Sequence, residues 1–397
     1  MLSNLGLKQG CPLSPILFNL YINDFGKYMQ GLGDEAVNLQ GEPITHFFYA
    51  DDLVLLSDTK EGLQKKLDRL AEFADKKDLT VNADKSKIMI FNKGGRLIPQ
   101  TFTIKGEGVE VVRAFTYLGV QITPSGSFTP AIQELSDKAR KAMMPLYKTV
   151  AQFNLPFRLS VKLFHTFVEP IAMYNAENWG CFTDKQIEKC RADPAAIYDI
   201  CMTSHATRLQ LKFYKYILGL KKQTSNMATF GEVAYLPLAL KTHMTLLKYW
   251  YRLKSMSNTT LAKMAYIENL GMNSNWCRTI QTLNTTYGLH NRSYNNKDYL
   301  GLAQRRITEK FTAHWNRSIR DRSREKKLDL YAQVKGSFSQ PEYLKLPCFR
   351  DRQRIAKFLC SDHHLEVERG RYSDIPREQR ICTTCQAGAI EDETPTP

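Results

Sequence analysis

Two adjacent aspartates, Asp51 and Asp52, stand between apolar runs in HFFYADDLVLLS, residues 46–57. Carboxylates one residue apart repel each other, and apolar surroundings raise the cost of keeping either charged. A positive group is therefore expected nearby. One reading is a polar hairpin turn, because Asp is common in turns. The other is a magnesium site: carboxylates on a rigid turn can hold a divalent cation. Paired cations then activate an attacking oxygen and stabilise the leaving one in phosphoryl transfer.

Two other groups could carry chemistry. Cys382 and Cys385 in CTTC have a spacing suited to zinc, with Cys360 and His363 or His364 available to complete four ligands. The alternative is two free thiols. The segment from Gln304 to Lys327 is strongly basic, and Arg305, Arg306, Arg317, Arg320 and Arg322 could follow a phosphate backbone. Phe311 and Trp315 could stack on bases. Lying four apart on a helix, they fit core contact better, and the charges could equally be a solvated face.

The elements that position these groups follow from local pattern. Ser14-Pro15 reads as a helix start with Ser as cap, and Ile16, Leu17, Leu20 and Tyr21 as its buried face. THFFYADDLVLLS reads as a hairpin with Ala50-Asp51 near its tip. Asp58 and Glu61 fit a capping box, and Leu63, Leu67, Leu70 and Ala74 form the stripe of the helix that follows. SKIMIFN and FTYLGVQIT read as extended, joined across NKGGRL, so an α+β unit ends near Thr123. After TPSGSFTP the pattern is helical. Ile132, Leu135, Ala139, Ala142, Met143 and Leu146 make one stripe. LSVKLFHTFVEPIAMY and LALKTHMTLLKYWYRLKSM are further helices, and the tail IEDETPTP reads as disordered.

Composition narrows the partners. The chain has 397 residues, enough for two or three packed units, and a formal net charge of +15. That excess favours nucleic acid, with an acidic membrane surface as competitor. No apolar run approaches the length of a spanning helix, and MLSNLGLKQGC lacks the pattern of a secretory signal. Nine scattered cysteines fit a reducing compartment rather than a disulfide framework. The expectation is a nuclear or cytoplasmic protein that is neither secreted nor membrane-bound.

Four segments then stand in a telling order: GLKQGCPLSPILFNLYINDF, YADD, LTVNADKSKIMIF and FTYLGVQIT. Together, over residues 5–123, they resemble the later palm motifs of reverse transcriptases, most closely those of non-LTR (LINE-type) retrotransposons. ELSDKARKAMMPLYKTVAQFNLPFRLSVKLFHTFVEPIAMYNAENWG resembles a thumb. FYKYILGLKKQTSNMATFGEVAYLPL and the run ending in CTTC resemble post-thumb segments.

The resemblance implies site roles. Asp51 would bind magnesium, with Asp52 its less directly engaged partner. Gln9, Gly10 and Tyr49 would abut the incoming nucleotide and template, glycine permitting close backbone approach. Lys85 would neutralise or protonate departing pyrophosphate, or else be a solvated surface lysine. Leu118 and Gly119 would form the primer grip, or else a plain core strand. The partners implied are an RNA template and a DNA primer.

The implied fold is α+β: a partial polymerase palm, an antiparallel sheet with helices, over 1–123, then a mainly α-helical remainder. That remainder divides into a thumb-like region over 124–220, a basic post-thumb region over 221–340 and a carboxyl-terminal segment over 341–397 with an incomplete zinc-knuckle-like motif. Reverse transcriptases use a third carboxylate, upstream of GLKQGC, that residues 1–5 do not contain. The expectation is therefore a fragment without fingers or first catalytic motif, with an incomplete two-ion site and no polymerisation alone. The alternatives are a non-catalytic RNA- or DNA-binding remnant and an unstable degenerate product, since a palm short of a strand exposes backbone and apolar surface.

Overall fold

A computed structural model describes residues 10–29, 36–289, 296–321, 328–382 and 389–392. Of the positions singled out above, Gln9, Arg322, Cys385 and most of the tail lie outside these residues. The chain divides into two compact units, Met1–Pro130 with Met256–Met272, and Ala131–Ser255 with Asn273–Pro397.

The first unit is α+β. Helix α1 (Ser14–Tyr21) places Pro15 in its first turn, where a missing N–H breaks no bond. Ser14 is its first residue rather than its cap, and Leu13 in the cap position makes no side-chain bond. The expected buried face is exposed instead: Ile16 at 57%, Leu17 at 49%, Leu20 at 67% and Tyr21 at 47%. Periodicity identifies an apolar face but not what covers it. Here the inward residues come just after, as Phe25 and Met29 of helix α2 (Phe25–Tyr28) and its cap pack on Phe73. Helix α3 (Lys60–Lys76) carries Phe73 and the predicted stripe, with Leu67 and Ala74 buried and Leu63 and Leu70 half-buried. Its cap is Thr59, one residue beyond the expected Asp58. Thr59 has extended backbone angles, and its Oγ1 accepts from the Gly62 N–H at 3.0 Å.

Among the described residues the strands form four small sheets. Strands β1 (Val37–Leu39) and β2 (Glu42–Ile44) make one hairpin, β3 (His46–Tyr49) and β4 (Asp52–Leu55) a second. Strand β5 (Lys87–Ile88) lies parallel to β7 (Glu107–Val111), which pairs antiparallel with β6 (Phe102–Ile104). Strands β8 (Phe115–Tyr117) and β9 (Val120–Ile122) close the unit. The β6–β7 hairpin was not expected from the sequence. It supplies Phe102, Ile104 and Val109 to a core with Leu67, Ala71 and Ile88.

The second unit is helical around one large core. Helix α4 (Thr129–Gln152) buries Leu135, Ala139, Met143, Leu146 and Val150, with Ile132 and Ala142 at the edge of the stripe. The helix expected over 238–256 forms as Leu238–Ser255, whereas that expected over 159–174 runs Phe157–Phe167 and breaks before Pro170, with a short helix Glu169–Ala172 after it. The long helix Asn296–Arg320 buries Ala303, Ile307, Phe311, Trp315 and Ile319, one every four residues. Phe311 and Trp315 are therefore core residues. Among the described residues no helix is long and apolar enough to cross a membrane.

Candidate active site

Cross-strand pairing of Tyr49 with Asp52 leaves Ala50 and Asp51 as a two-residue turn. Both aspartates are exposed there, so neither pays a burial penalty. Ala50 sits at φ 54°, in the left-handed region, which costs a residue with a Cβ roughly 1–2 kcal/mol.

The hairpin holds that turn from one side. His46 and Phe48 each pack edge-on against Phe25, with ring centroids 5.0 Å apart. Leu53 and Leu55 join the Phe25–Met29–Phe73 cluster. Beyond β4, the buried ammonium of Lys66 donates to the Leu56 carbonyl at 2.7 Å. Burial also holds the His46 imidazole below its ordinary pKa. The base is thus packed while Tyr49, 63% exposed, and the aspartates project outward.

Tyr117, the last residue of β8, brings a second hairpin into the field of this tip. Its phenol is pushed up by burial first and by the negative charge of Asp52 second. Leu118 at φ 46° and Gly119 at φ 79° follow as a two-residue turn with both central residues at positive φ, the geometry that matches strand twist. Lys85 stands on the turn before β5, where Asn82 Oδ1 accepts from its backbone N–H at 3.0 Å. Its side chain is exposed. Gly10 has φ 82°, and a Cβ there would meet nothing within 4 Å. Backbone conformation, not crowding, is what favours glycine at that position.

Two carboxylates on an exposed, anchored turn suit a hard cation with oxygen ligands. Among the described residues, however, no group of three or more His, Cys, Asp or Glu side chains could hold a metal ion. Asp51 and Asp52 are two carboxylates, one fewer than the smallest such group. The zinc expectation fares differently. Cys360 is fully buried in the helical core, where burial pushes its thiol above the ordinary range, and it belongs to no group of three metal-ligating side chains among the described residues. Cys382 stands beside the antiparallel bridge between Ile381 and Ile390, its N–H donating to the Ala389 carbonyl at 2.9 Å.

The helix Asn296–Arg320 exposes Arg305, Arg306, Arg317 and Arg320. Arg306 pairs with Glu309 at 3.5 Å, and Arg320 donates to Asn316 Oδ1 at 2.6 Å.

Residues 2–122 match the family described as reverse transcriptase (RNA-dependent DNA polymerase), and that stretch includes both aspartates and both flanking hairpins. The chain carries a reverse transcriptase domain. Its relatives are proteins of non-LTR retrotransposons. A Pol polyprotein from the type-1 retrotransposable element R2 of Popillia japonica is 28% identical over 176 residues, covering 42% of this chain and 28% of the relative. That from the type-2 element R2DM of Drosophila melanogaster is 32% identical over 159 residues, covering 36% of this chain and 15% of the relative. The RNA-directed DNA polymerase from the mobile element jockey of the same fly is 22% identical over 193 residues, covering 47% and 20%. The chain thus spans less than a third of the length of these relatives.

Sequence reasoning missed Tyr117, Lys66 and Thr59 as supports of the site. Only Thr59 left a signal, a threonine three residues before Gly62 at a helix start.

Proposed function

We propose that the first unit is part of a polymerase palm that acts on an RNA template and a DNA primer. The observation that carries this reading is the pair of carboxylates on the exposed β3–β4 turn, with a packed base behind it. Magnesium bound there would supply charge for nucleotidyl transfer from a 3′-hydroxyl. Asp51, in the turn, is the principal ligand, and Asp52, at the head of β4, its partner. Tyr49 and Gly10 face the nucleotide and template, and Leu118-Gly119 supports the primer end. Lys85 stabilises departing pyrophosphate. The helical unit is the thumb with its basic extension, and Arg305, Arg306, Arg317 and Arg320 contact backbone phosphates.

A third carboxylate must come from outside the described residues for synthesis to proceed. That requirement favours a second reading, a polymerase-derived module that binds primer and template without extending them.

Primer extension on poly-rA/oligo-dT with magnesium, beside an Asp51→Asn, Asp52→Asn variant, separates the two. Extension that disappears in the variant supports a working polymerase. Magnesium-dependent binding without extension, lost in the variant, supports the module. Neither extension nor magnesium-dependent binding would sink both.

A further inference from the structure

Within the helical unit a cleft of about 820 Å³ opens between the start of the helix Phe157–Phe167 and residues 340–347. Small-ligand pockets span roughly 300–1,000 Å³. Three cations line it, Arg158, Lys345 and Arg352, against the one carboxylate of Glu342. Lys345 and Glu342 pair at 2.6 Å, which leaves Arg158 and Arg352 as the excess. Arg158 is exposed and enters no ion pair among the described residues.

Arg352 differs, being only 2% exposed. Its guanidinium donates to the carbonyls of Leu346 at 2.6 Å, Pro347 at 3.2 Å and Leu155 at 2.8 Å, and lies 5.6 Å from the Phe349 ring. No carboxylate among the described residues balances it. A buried cation held by neutral groups alone keeps an electrostatic demand for an anion close by.

The helix start adds to that demand. Pro156 occupies the cap position and gives no side-chain bond, so the first-turn N–H groups beside the cleft have no capping acceptor. Pro156, Pro341 and Leu346 supply a rigid apolar wall on which a flat ring could rest.

We infer that this cleft is a nucleotide-phosphate site: Arg158 and the helix start take the phosphate, above the buried charge of Arg352, and the base lies against Pro341 and Leu346. The phosphate could come from a free nucleotide or from a nucleic-acid strand. None of these residues belongs to the polymerase domain, so the inference stands or falls apart from primer extension.

The test is calorimetric titration of the full chain with thymidine 5′-monophosphate, with thymidine, and with a short 5′-phosphorylated oligothymidylate. The monophosphate or the strand should bind and thymidine should not. Arg158→Glu should weaken binding by roughly tenfold or more, Arg158→Gln by less. Lys185→Glu, at an exposed lysine that does not line the cleft, should leave monophosphate binding unchanged. Monophosphate binding lost in Arg158→Glu identifies a free-nucleotide site; strand binding alone, lost in the same variant, identifies a strand contact. Equal affinities in the parent and both Arg158 variants, or binding of neither phosphate ligand, would overturn the inference.

Discussion

Tyr49 and Asp52 are the last cross-strand partners of the β3–β4 hairpin, and that register gives Ala50 the left-handed position of the turn. A residue with a Cβ is strained there, and one branched at Cβ more so. Ala50→Val should destabilise the protein by about 1 kcal/mol or more. Ala50→Gly should stabilise it slightly, by less than about 1 kcal/mol, because glycine loses more entropy on folding. Urea unfolding midpoints test both, and a stabilised valine variant would contradict the assigned turn.

Gly231 lies beneath two aromatic side chains of the helical core. A Cβ added there would approach Trp315 Cζ2 at 2.7 Å and meet the Tyr331 hydroxyl more closely still. Both rings are fully buried and cannot swing aside. Gly231→Ala should therefore cost about 1–3 kcal/mol as overpacking. Denaturant titration beside a Gly271→Ala control, which meets nothing within 4 Å, gives the comparison.

Glu232 and Lys335 form a buried charge pair 3.2 Å apart, with Tyr343 also donating to the carboxylate. Removing the carboxylate charge leaves the buried Lys335 ammonium facing neutral groups such as the Ser339 carbonyl, to which it donates at 2.7 Å, in place of an opposite charge. Glu232→Gln should cost on the order of 3 kcal/mol. Adding Lys335→Met should recover part of that loss. Additive costs in the double variant would show that the pair is not coupled.

His243 is enclosed in the core, with Nδ1 2.8 Å from the Tyr287 hydroxyl, and burial holds its imidazole at about 3. The unfolded chain binds a proton near pH 6.5 while the folded chain does not until far lower. Stability is therefore intact above that pH and falls as pH drops toward 3. At pH 5 the loss from this residue is about 2 kcal/mol relative to pH 7. His46, also held low, adds a loss of the same sign. Unfolding free energies at both pH values, for the parent and His243→Leu, test this; an equally steep fall in the variant would assign it to other groups.

Much of this fold was legible where one helix face meets a core it helps to form. The stripes of α3 and α4, and the core placement of Phe311 and Trp315, follow from spacing alone. The outward face of α1 was not legible, because an apolar stripe does not say whether anything packs on it. The β6–β7 hairpin left a readable signal that went unused. Lys105-Gly106 is a two-residue turn, flanked by Phe102 and Ile104 on one side and Val109 and Val111 on the other. The aspartates were found because their oddity is local. Tyr117 was not, since its place near Asp52 depends on packing between two hairpins far apart in the chain.

The first unit is built from two separate stretches of chain, and this bears on its birth at the ribosome. Glu268 accepts from both the backbone N–H and the side chain of Gln40, 228 positions earlier. The β1–β2 hairpin therefore waits for its distant helix until residues 256–272 have been made. In the meantime residues 131–255 emerge as a passenger inside an unfinished host. Closing so long a loop carries an entropic cost that local contacts do not. The last piece of the first unit to be translated is thus also the one whose docking closes a loop of more than two hundred residues.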